Sequence, residues 1–161
     1  MDKPLEVTVG ELLLKHGLWL ATAESCTGGL ISHIITNVPG SSAYYLGGVT
    51  AYANEAKMRM LGVSLDTLNQ HGAVSEATVL EMARGIRYAL GADIGVSVSG
   101  IAGPDGGTAD KPVGTVWIGL SSATAKYARH FLWTGNRLAV KEQSARAALE
   151  ILVRHLQTAY D

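Results

Sequence analysis

Strand-like and helix-like patterns alternate along this chain, and that alternation restricts its fold more than any other feature of the sequence. Segments 18–24, 44–52 and 94–99 are short and built largely of apolar or small residues, as expected of strands buried in a sheet. Helical patterns separate these three segments, whereas 114–121 and 126–133 are joined by a short link and are expected to pair antiparallel. The sequence therefore predicts an α/β fold of three layers, α/β/α, with a mixed sheet between the helices.

The helical patterns have recognisable starts and stops. Apolar residues recur at helical spacing in several segments, of which the main ones are 4–16, 30–38, 75–90 and 145–156. Gly17 and Gly91 fit left-handed residues that end helices, and Ser75 fits an N-cap. Asn54 is expected to cap a short helix that contains Lys57, and 64–70 is predicted to be another short helix.

Composition excludes several classes of protein. The chain has 161 residues, 47% hydrophobic and 17% charged, so we expect one core and a single domain over residues 1–161. The formal net charge is −1 and no basic stripe occurs, which argues against nucleic-acid binding. The sequence has neither an apolar run of about 18 residues nor an export signal, so we expect no membrane insertion or secretion. A single cysteine, Cys26, is typical of a reducing compartment and favours a cytoplasmic location.

Familiar metal and nucleotide motifs are missing from the sequence. The histidines are scattered, without a pair at ligand spacing or a nearby cysteine partner, so we expect neither a metal nor another cofactor. There is no P-loop motif and no Gly-x-Gly-x-x-Gly after the first strand. A Gly-x-Ser-x-Gly elbow is also missing, which disfavours the usual Ser-His-Asp hydrolase arrangement.

Glycine-rich turns follow predicted strands, at 25–29, at 47–48 with the nearby 54–57, and at 100–107. In open α/β sheets, ligands bind beyond the carboxyl ends of the strands, where such turns converge. In turn 25–29, backbone N–H groups could approach a phosphate at the start of the next helix, whose dipole favours an anion. The alternative is that Gly28 and Gly29 only permit close packing of that helix on the sheet.

Lys57 has the most unusual position of the ionisable residues. It lies in the first turn of a predicted helix, where the positive end of the helix dipole disfavours a cation. That field, together with burial, would lower its pKa and favour the neutral amine that a general base requires. Glu55 would offset the effect by pairing with Lys57, and a solvated surface lysine is the alternative interpretation. Tyr52 could orient the amine or transfer a proton, or could simply pack on the sheet.

The partner of Lys57 stays open on these grounds. A nucleophile has to be a serine within reach of the amine, and the serines near these turns are Ser25, Ser41, Ser42, Ser75, Ser97 and Ser99. Sequence spacing does not distinguish among them, and most are expected to be turn formers or helix caps. Arg137 could bind a phosphate through two hydrogen bonds, or could be an exposed residue in the first turn of the last helix.

Six motifs follow one another along the chain, at 22–29 (TAESCTGG), 39–42 (PGSS), 52–57 (YANEAK), 71–75 (HGAVS), 99–107 (SGIAGPDGG) and 111–117 (KPVGTVW). Together, and in this order, they resemble the motifs of the CinA carboxy-terminal domain, the nicotinamide-nucleotide amidase family, and the resemblance covers the chain from about residue 5 to its end. One departure is Ala53, where relatives often carry serine. The resemblance implies a CinA carboxy-terminal-like fold.

The resemblance also implies an activity, which is hydrolysis of the carboxamide of nicotinamide mononucleotide to nicotinic acid mononucleotide and ammonia. Members of the family resemble metal-free Ser/Lys amidases. Carried onto this sequence, the resemblance makes Ser42 the nucleophile and Lys57 its base, with Ser25 and Tyr52 completing the polar network. Ser25 is the next candidate for the nucleophile after Ser42.

Substrate contacts are implied as well. Ser99 and Arg137 match further site positions of the family, and Thr27, Gly28 and Gly29 are expected to contact the nucleotide. The chain resembles a stand-alone form without the additional amino-terminal domain of larger CinA proteins, and the family implies a homodimer. Two rival interpretations are a nucleotide-binding paralogue without catalysis and an amidase that acts on a different amide.

Overall fold

The structure, a computed structural model, describes residues 2–161. Within them, five strands form one mixed sheet in the order β2-β1-β3-β4-β5: β1 (Leu20–Glu24), β2 (Tyr45–Thr50), β3 (Ile94–Gly100), β4 (Thr115–Ser121) and β5 (Lys126–Leu132). β2, β1 and β3 are parallel, whereas β4 runs antiparallel to both β3 and β5. The predicted mixed sheet and the antiparallel pairing of its last two strands are confirmed.

Helices cover both faces of the sheet in the described part of the chain: α1 (Leu5–His16), α2 (Leu30–Thr36), α3 (Asn54–Leu61), α4 (Leu65–His71), α5 (Glu76–Leu90) and α6 (Arg137–Tyr160). α1, α2 and α6 pack on one face, and α3, α4 and α5 on the other, so each face has its own apolar core. The predicted α/β/α layering is confirmed. No helix of residues 2–161 has the length and hydropathy needed to cross a membrane.

Most of the predicted helix ends are confirmed. Gly17 and Gly91 adopt the left-handed conformation after α1 and α5, with φ of 64° and 66°. The Ser75 hydroxyl accepts a hydrogen bond from the backbone at the start of α5. The prediction for Asn54 is wrong, because Ala53 is the extended residue before α3 and its carbonyl accepts the first helical hydrogen bond. Asn54 is instead the first residue inside the helix.

The helix that carries Lys57, α3, is fixed against α5 by a very close approach. A Cβ atom at Gly85 would overlap the carbonyl oxygen of Leu61, so glycine is required at this contact. Leu61 is itself buried in the apolar core on that face of the sheet. This packing sets the position of α3 relative to the ends of the neighbouring strands.

The three parallel strands all end at the same edge of the sheet. Glu24, the last residue of β1, pairs in register with Thr50 at the end of β2 and with Val98 near the end of β3. The chain segments that follow these strands are therefore neighbours in space, as turns 25–29 and 100–107 predicted. The prediction of a turn at 47–48 is wrong, because Gly47 and Gly48 lie inside β2.

Candidate active site

A cavity of about 190 Å³ opens at this carboxyl edge, next to the start of α6. Among its lining residues are five that the sequence predicted for the site: Ser25, Tyr52, Lys57, Ser99 and Arg137. The other predicted site residues, Ser42, Thr27, Gly28 and Gly29, are not among those that line it. No aspartate or glutamate lines this cavity, which suits a neutral or anionic ligand.

Lys57 and Ser25 form a contact at the bottom of this site. Lys57 is 1% exposed, and its Nζ lies 3.0 Å from Ser25 Oγ and 3.0 Å from each of the carbonyl oxygens of Ala51 and Tyr52. Because carbonyl oxygens only accept, they hold two N–H bonds of the amine. The remaining tetrahedral position of the nitrogen points to the Ser25 hydroxyl. In the neutral amine, that direction is the lone pair that could accept a proton.

The surroundings of Lys57 favour its neutral form. Burial lowers the pKa of the Lys57 amine, because the charged form loses solvation. Glu55 does not offset this effect, since it pairs instead with Arg59 at 2.9 Å on the exposed side of α3. A Cys26 thiolate would raise the pKa of Lys57. Burial, however, raises the pKa of Cys26 to about 12, so this thiol is neutral near pH 7.

The pairing of Ser42 with Lys57 that the family resemblance implied is wrong in this structure. Ser42 is exposed in a short 3₁₀ turn (Ser41–Ala43) that precedes β2, whereas Lys57 follows the opposite end of that strand. A strand of six residues spans about 20 Å, so the two side chains lie at opposite edges of the sheet. Ser25 occupies the position next to the lysine because it follows the carboxyl end of the neighbouring parallel strand.

Turn 25–29 closes around a carboxylate of the protein itself. Glu24 is 1% exposed, and its carboxylate accepts hydrogen bonds from the Thr27 hydroxyl at 2.6 Å and from the N–H groups of Ile31 at 2.8 Å and Ser32 at 3.1 Å. The start of α2 is therefore already occupied by an anion. The turn holds Glu24, and with it the backbone next to Ser25.

This arrangement corrects the expectation that turn 25–29 binds phosphate. Thr27 is 1% exposed and bonded to Glu24, so its hydroxyl is not available to a substrate. Gly28 and Gly29 have φ of 61° and 98° and serve the tight backbone path between β1 and α2. The alternative interpretation, that these glycines permit close packing of helix and sheet, is not supported either, because a Cβ atom at Gly28 or Gly29 would make only ordinary contacts at 3.6 and 3.5 Å.

Tyr52 and Arg137 meet at the mouth of the cavity. Arg137 Nη2 donates to the Tyr52 hydroxyl at 3.0 Å, and Nη1 donates to the carbonyl oxygen of Gly103 at 2.7 Å. Both acceptors are neutral, so neither offsets the positive charge of the guanidinium. Tyr52 is 60% exposed and contacts Lys57 through its backbone carbonyl, whereas its hydroxyl faces Arg137.

Ser99 contributes a free hydroxyl to the cavity. Ser99 is 1% exposed and lines the cavity, and no protein group among residues 2–161 is hydrogen-bonded to its Oγ. Sequence reasoning assigned no role in the site to six other lining residues, which are Cys26, Asn54, Ala73, Val74, Gly100 and Ala102. Ala73 and Val74 belong to the HGAVS motif, so the motif could have indicated that they lie near the site. Only the packing of the α4–α5 connection, however, brings that motif to the cavity.

No group of three or more His, Cys, Asp or Glu side chains in the described part of the chain could hold a metal ion. The fold and the site together define an α/β protein with a buried serine–lysine pair at the carboxyl edge of a parallel strand set. The chain belongs to the CinA C-terminal domain family, whose model matches residues 2–156.

Relatives of two lengths are similar to this chain. It is 53% identical over 149 residues to a CinA-like protein of Salinibacter ruber, covering 92% of this chain but 36% of that protein. It is 51% identical over 155 residues to the nicotinamide-nucleotide amidohydrolase PncC of Enterobacter agglomerans, covering 93% of this chain and 92% of that protein. The chain thus spans little more than a third of the longer relatives and nearly all of the shorter one.

Solved structures of the family have the same fold. A competence damage-inducible protein A of Klebsiella pneumoniae superposes with a TM-score of 0.93 at 38% identity, covering 96% of both chains. The corresponding protein of Agrobacterium tumefaciens gives a TM-score of 0.89 at 38% identity, covering 98% of this chain and all of that one.

Proposed function

We propose that this chain is an amidase that hydrolyses the carboxamide of nicotinamide mononucleotide, with Ser25 as the nucleophile and Lys57 as its base. The observation that carries the proposal is the 3.0 Å contact between Lys57 Nζ and Ser25 Oγ in a buried site. The substrate is proposed from the relative in Enterobacter agglomerans, which is named for that activity and matches this chain over 92% of its own length.

The first half of the reaction is acyl transfer to Ser25. The neutral amine of Lys57 accepts the proton of the Ser25 hydroxyl while Oγ attacks the carbonyl carbon of the amide. The C–N bond then breaks, and the protonated lysine returns that proton to the departing nitrogen, which leaves as ammonia. An ester between Ser25 and the nicotinoyl group remains.

The second half releases the acid. Water attacks the ester while Lys57 accepts one of its protons, and the Ser25 oxygen leaves with that proton. The products are nicotinic acid mononucleotide and the free enzyme. Lys57 therefore acts as base and then as acid in each half, and burial, which lowers its pKa, favours the neutral amine with which each half begins.

Two further groups are suited to the developing charge and to orientation. The backbone N–H of Cys26 follows Ser25 directly and donates to no other residue among 2–161, so it is the candidate donor to the oxyanion. The Ser99 hydroxyl is free to bind either the oxyanion or the amide nitrogen. Arg137, whose charge has no anionic partner, is suited to the phosphate of the nucleotide.

The proposal is tested by measuring ammonia released from nicotinamide mononucleotide by the purified protein and two serine variants. Ser25→Ala is expected to lower kcat by roughly a thousandfold or more, because no other hydroxyl contacts Lys57. Ser42→Ala is the matched control and should retain activity within about twofold, since that side chain is exposed at the opposite edge. Full activity in Ser25→Ala would reject Ser25 as the nucleophile. Binding of the nucleotide without ammonia release by the wild-type protein would reject the amidase and favour a binding protein.

A further inference from the structure

We propose that Lys141 and Arg137 together form an anion subsite at the mouth of the cavity, and that this subsite binds the phosphate of a nucleotide substrate. The inference rests on the proposed function for the identity of the substrate. Its new element is Lys141, which is not among the residues that the sequence motifs point to.

The geometry places Lys141 above the turn that carries Ser25. Lys141 lies one helical turn after Arg137 on α6, so both side chains leave the same face of that helix. The Lys141 amine extends to Gly28, where a Cβ atom would be 3.6 Å from Nζ. An anion held between the two cations would thus lie beside the Ser25 turn and next to the cavity.

The charges at this place are not compensated by the protein. Lys141 is half-buried and forms no ion pair among residues 2–161, and Arg137 is bonded only to the neutral Tyr52 hydroxyl and a carbonyl. Farther along the same helix, Arg146 is paired with Glu150 at 3.0 Å. Among the α6 cations without an ion pair, Arg137 lines the cavity and Lys141 reaches the Ser25 turn, whereas Arg154 is exposed toward the far end of the helix.

The placement of these two cations is unfavourable without a ligand. Like charges four residues apart on a helix repel each other, and cations near a helix start oppose the helix dipole. The first turn of α6 contains no acidic residue that would offset either effect. A bound phosphate would relieve both, since it would be attracted by the two side chains and by the helix dipole.

Two observations elsewhere in the site agree with a ligand in this position. Ser99 is 1% exposed and lines the same cavity as Arg137, and its hydroxyl, which has no partner among residues 2–161, is suited to the amide end of the same ligand. The start of α2, the helix that follows the Ser25 turn, is already occupied by the Glu24 carboxylate and is not free to bind a phosphate. The start of α3 also borders the cavity through Asn54, but its first turn carries the acidic Glu55, whereas the first turn of α6 carries Arg137 and no acidic residue.

The test is calorimetric binding to the Ser25→Ala protein, in which turnover does not interfere. Lys141→Met should weaken binding of nicotinamide mononucleotide by roughly 10- to 100-fold, as expected for the loss of one charged hydrogen bond. It should change binding of nicotinamide riboside, which lacks the phosphate, by less than about threefold. Lys141→Arg should restore most of the affinity, and the steep weakening of binding with added salt should become shallower in Lys141→Met. Arg146→Met, which removes a paired cation from the same helix, is the control and should bind the nucleotide like the parent protein.

The outcomes separate this proposal from the proposed activity. Equal loss of affinity for the nucleotide and the riboside, or no loss for either, would overturn the subsite. Absence of nucleotide binding in every variant, the parent protein included, would overturn it as well. If the wild-type protein binds the nucleotide through Lys141 but releases no ammonia, the subsite is supported and the amidase activity is rejected.

Discussion

Replacement of Glu24 by glutamine tests the idea that a buried carboxylate organises the Ser25 turn. Glutamine has the same shape, so the variant changes the charge and one acceptor while the packing is kept. Its single carbonyl oxygen can retain the two hydrogen bonds that Glu24 Oε1 accepts from Thr27 and Ile31. Its NH₂ group cannot accept from the Ser32 N–H, which bonds to Oε2 at 3.1 Å.

The expected cost follows from these contacts. A hydrogen bond to a charged group contributes about 1.5–3 kcal/mol, and the charge–dipole interaction at a helix start contributes about 0.3–1 kcal/mol. Glu24→Gln should therefore lower the free energy of unfolding by about 2–4 kcal/mol. For a chain of this length that corresponds to a fall in Tm of roughly 4–16 °C. A typical domain has about 5–15 kcal/mol of stability, so the variant should still fold.

Urea denaturation followed by circular dichroism measures this difference, with Glu11→Gln as the control. Glu11 is an exposed partner of Lys3, so its neutralisation should change stability by less than about 1 kcal/mol. If the two variants were equally stable, Glu24 would not hold the turn and the reasoning from its hydrogen bonds would fail. Loss of stability with full turnover would separate the fold of the turn from the placement of Ser25.

Three further predictions concern the base, its helix and the mouth of the cavity. The kcat/KM for ammonia release should rise with pH and level off well below the ordinary lysine value of 10.5, because burial lowers the pKa of Lys57 and only its neutral amine accepts a proton; a profile still rising through 10.5 would contradict this. Gly85→Ala should lower the free energy of unfolding by about 1–3 kcal/mol despite the better helix propensity of alanine, because its Cβ meets the Leu61 carbonyl; an unchanged Tm in thermal denaturation would show that the helices separate freely. Tyr52→Phe removes the hydroxyl partner of Arg137 but keeps the carbonyl that holds Lys57, so KM for the nucleotide should rise about two- to tenfold while kcat falls less; steady-state kinetics with the reverse pattern would mean that the hydroxyl takes part in the chemistry.

The order and type of the main elements could be predicted from sequence because each depends on local information. The left-handed glycines after α1 and α5, the Ser75 cap and the apolar strand segments act through their own neighbours. Lys57 could also be singled out, since its unfavourable place in the first turn of α3 is visible from the chain alone.

The nucleophile and the anion site required information that lies between elements. Ser42 and Ser25 both belong to family motifs, and only the strand directions show that Ser42 precedes β2 whereas Ser25 and Lys57 follow parallel strands. The positions of Ser25 and Lys57 after two strands already favour their proximity, because residues after two parallel strands share an edge of the sheet. In the sequence, turn 25–29 resembles an empty phosphate site because Glu24 belongs to the preceding strand. Its side chain nevertheless reaches forward to the start of α2 and accepts the N–H groups there.

The amine of Lys57 is held by main-chain oxygens, and this has a consequence for how the site can vary. Ala51 and Tyr52 support the lysine through main-chain carbonyl groups, so changes of the exposed Tyr52 side chain leave the basic nitrogen anchored, whereas Ala51 is also fixed by its buried place in the core. The Tyr52 ring can therefore change its position when a ligand binds, without displacing the Lys57 amine. The position of the base in such a pocket depends on the path of the backbone. Substrate selectivity depends on side chains, which can change one at a time without moving the base.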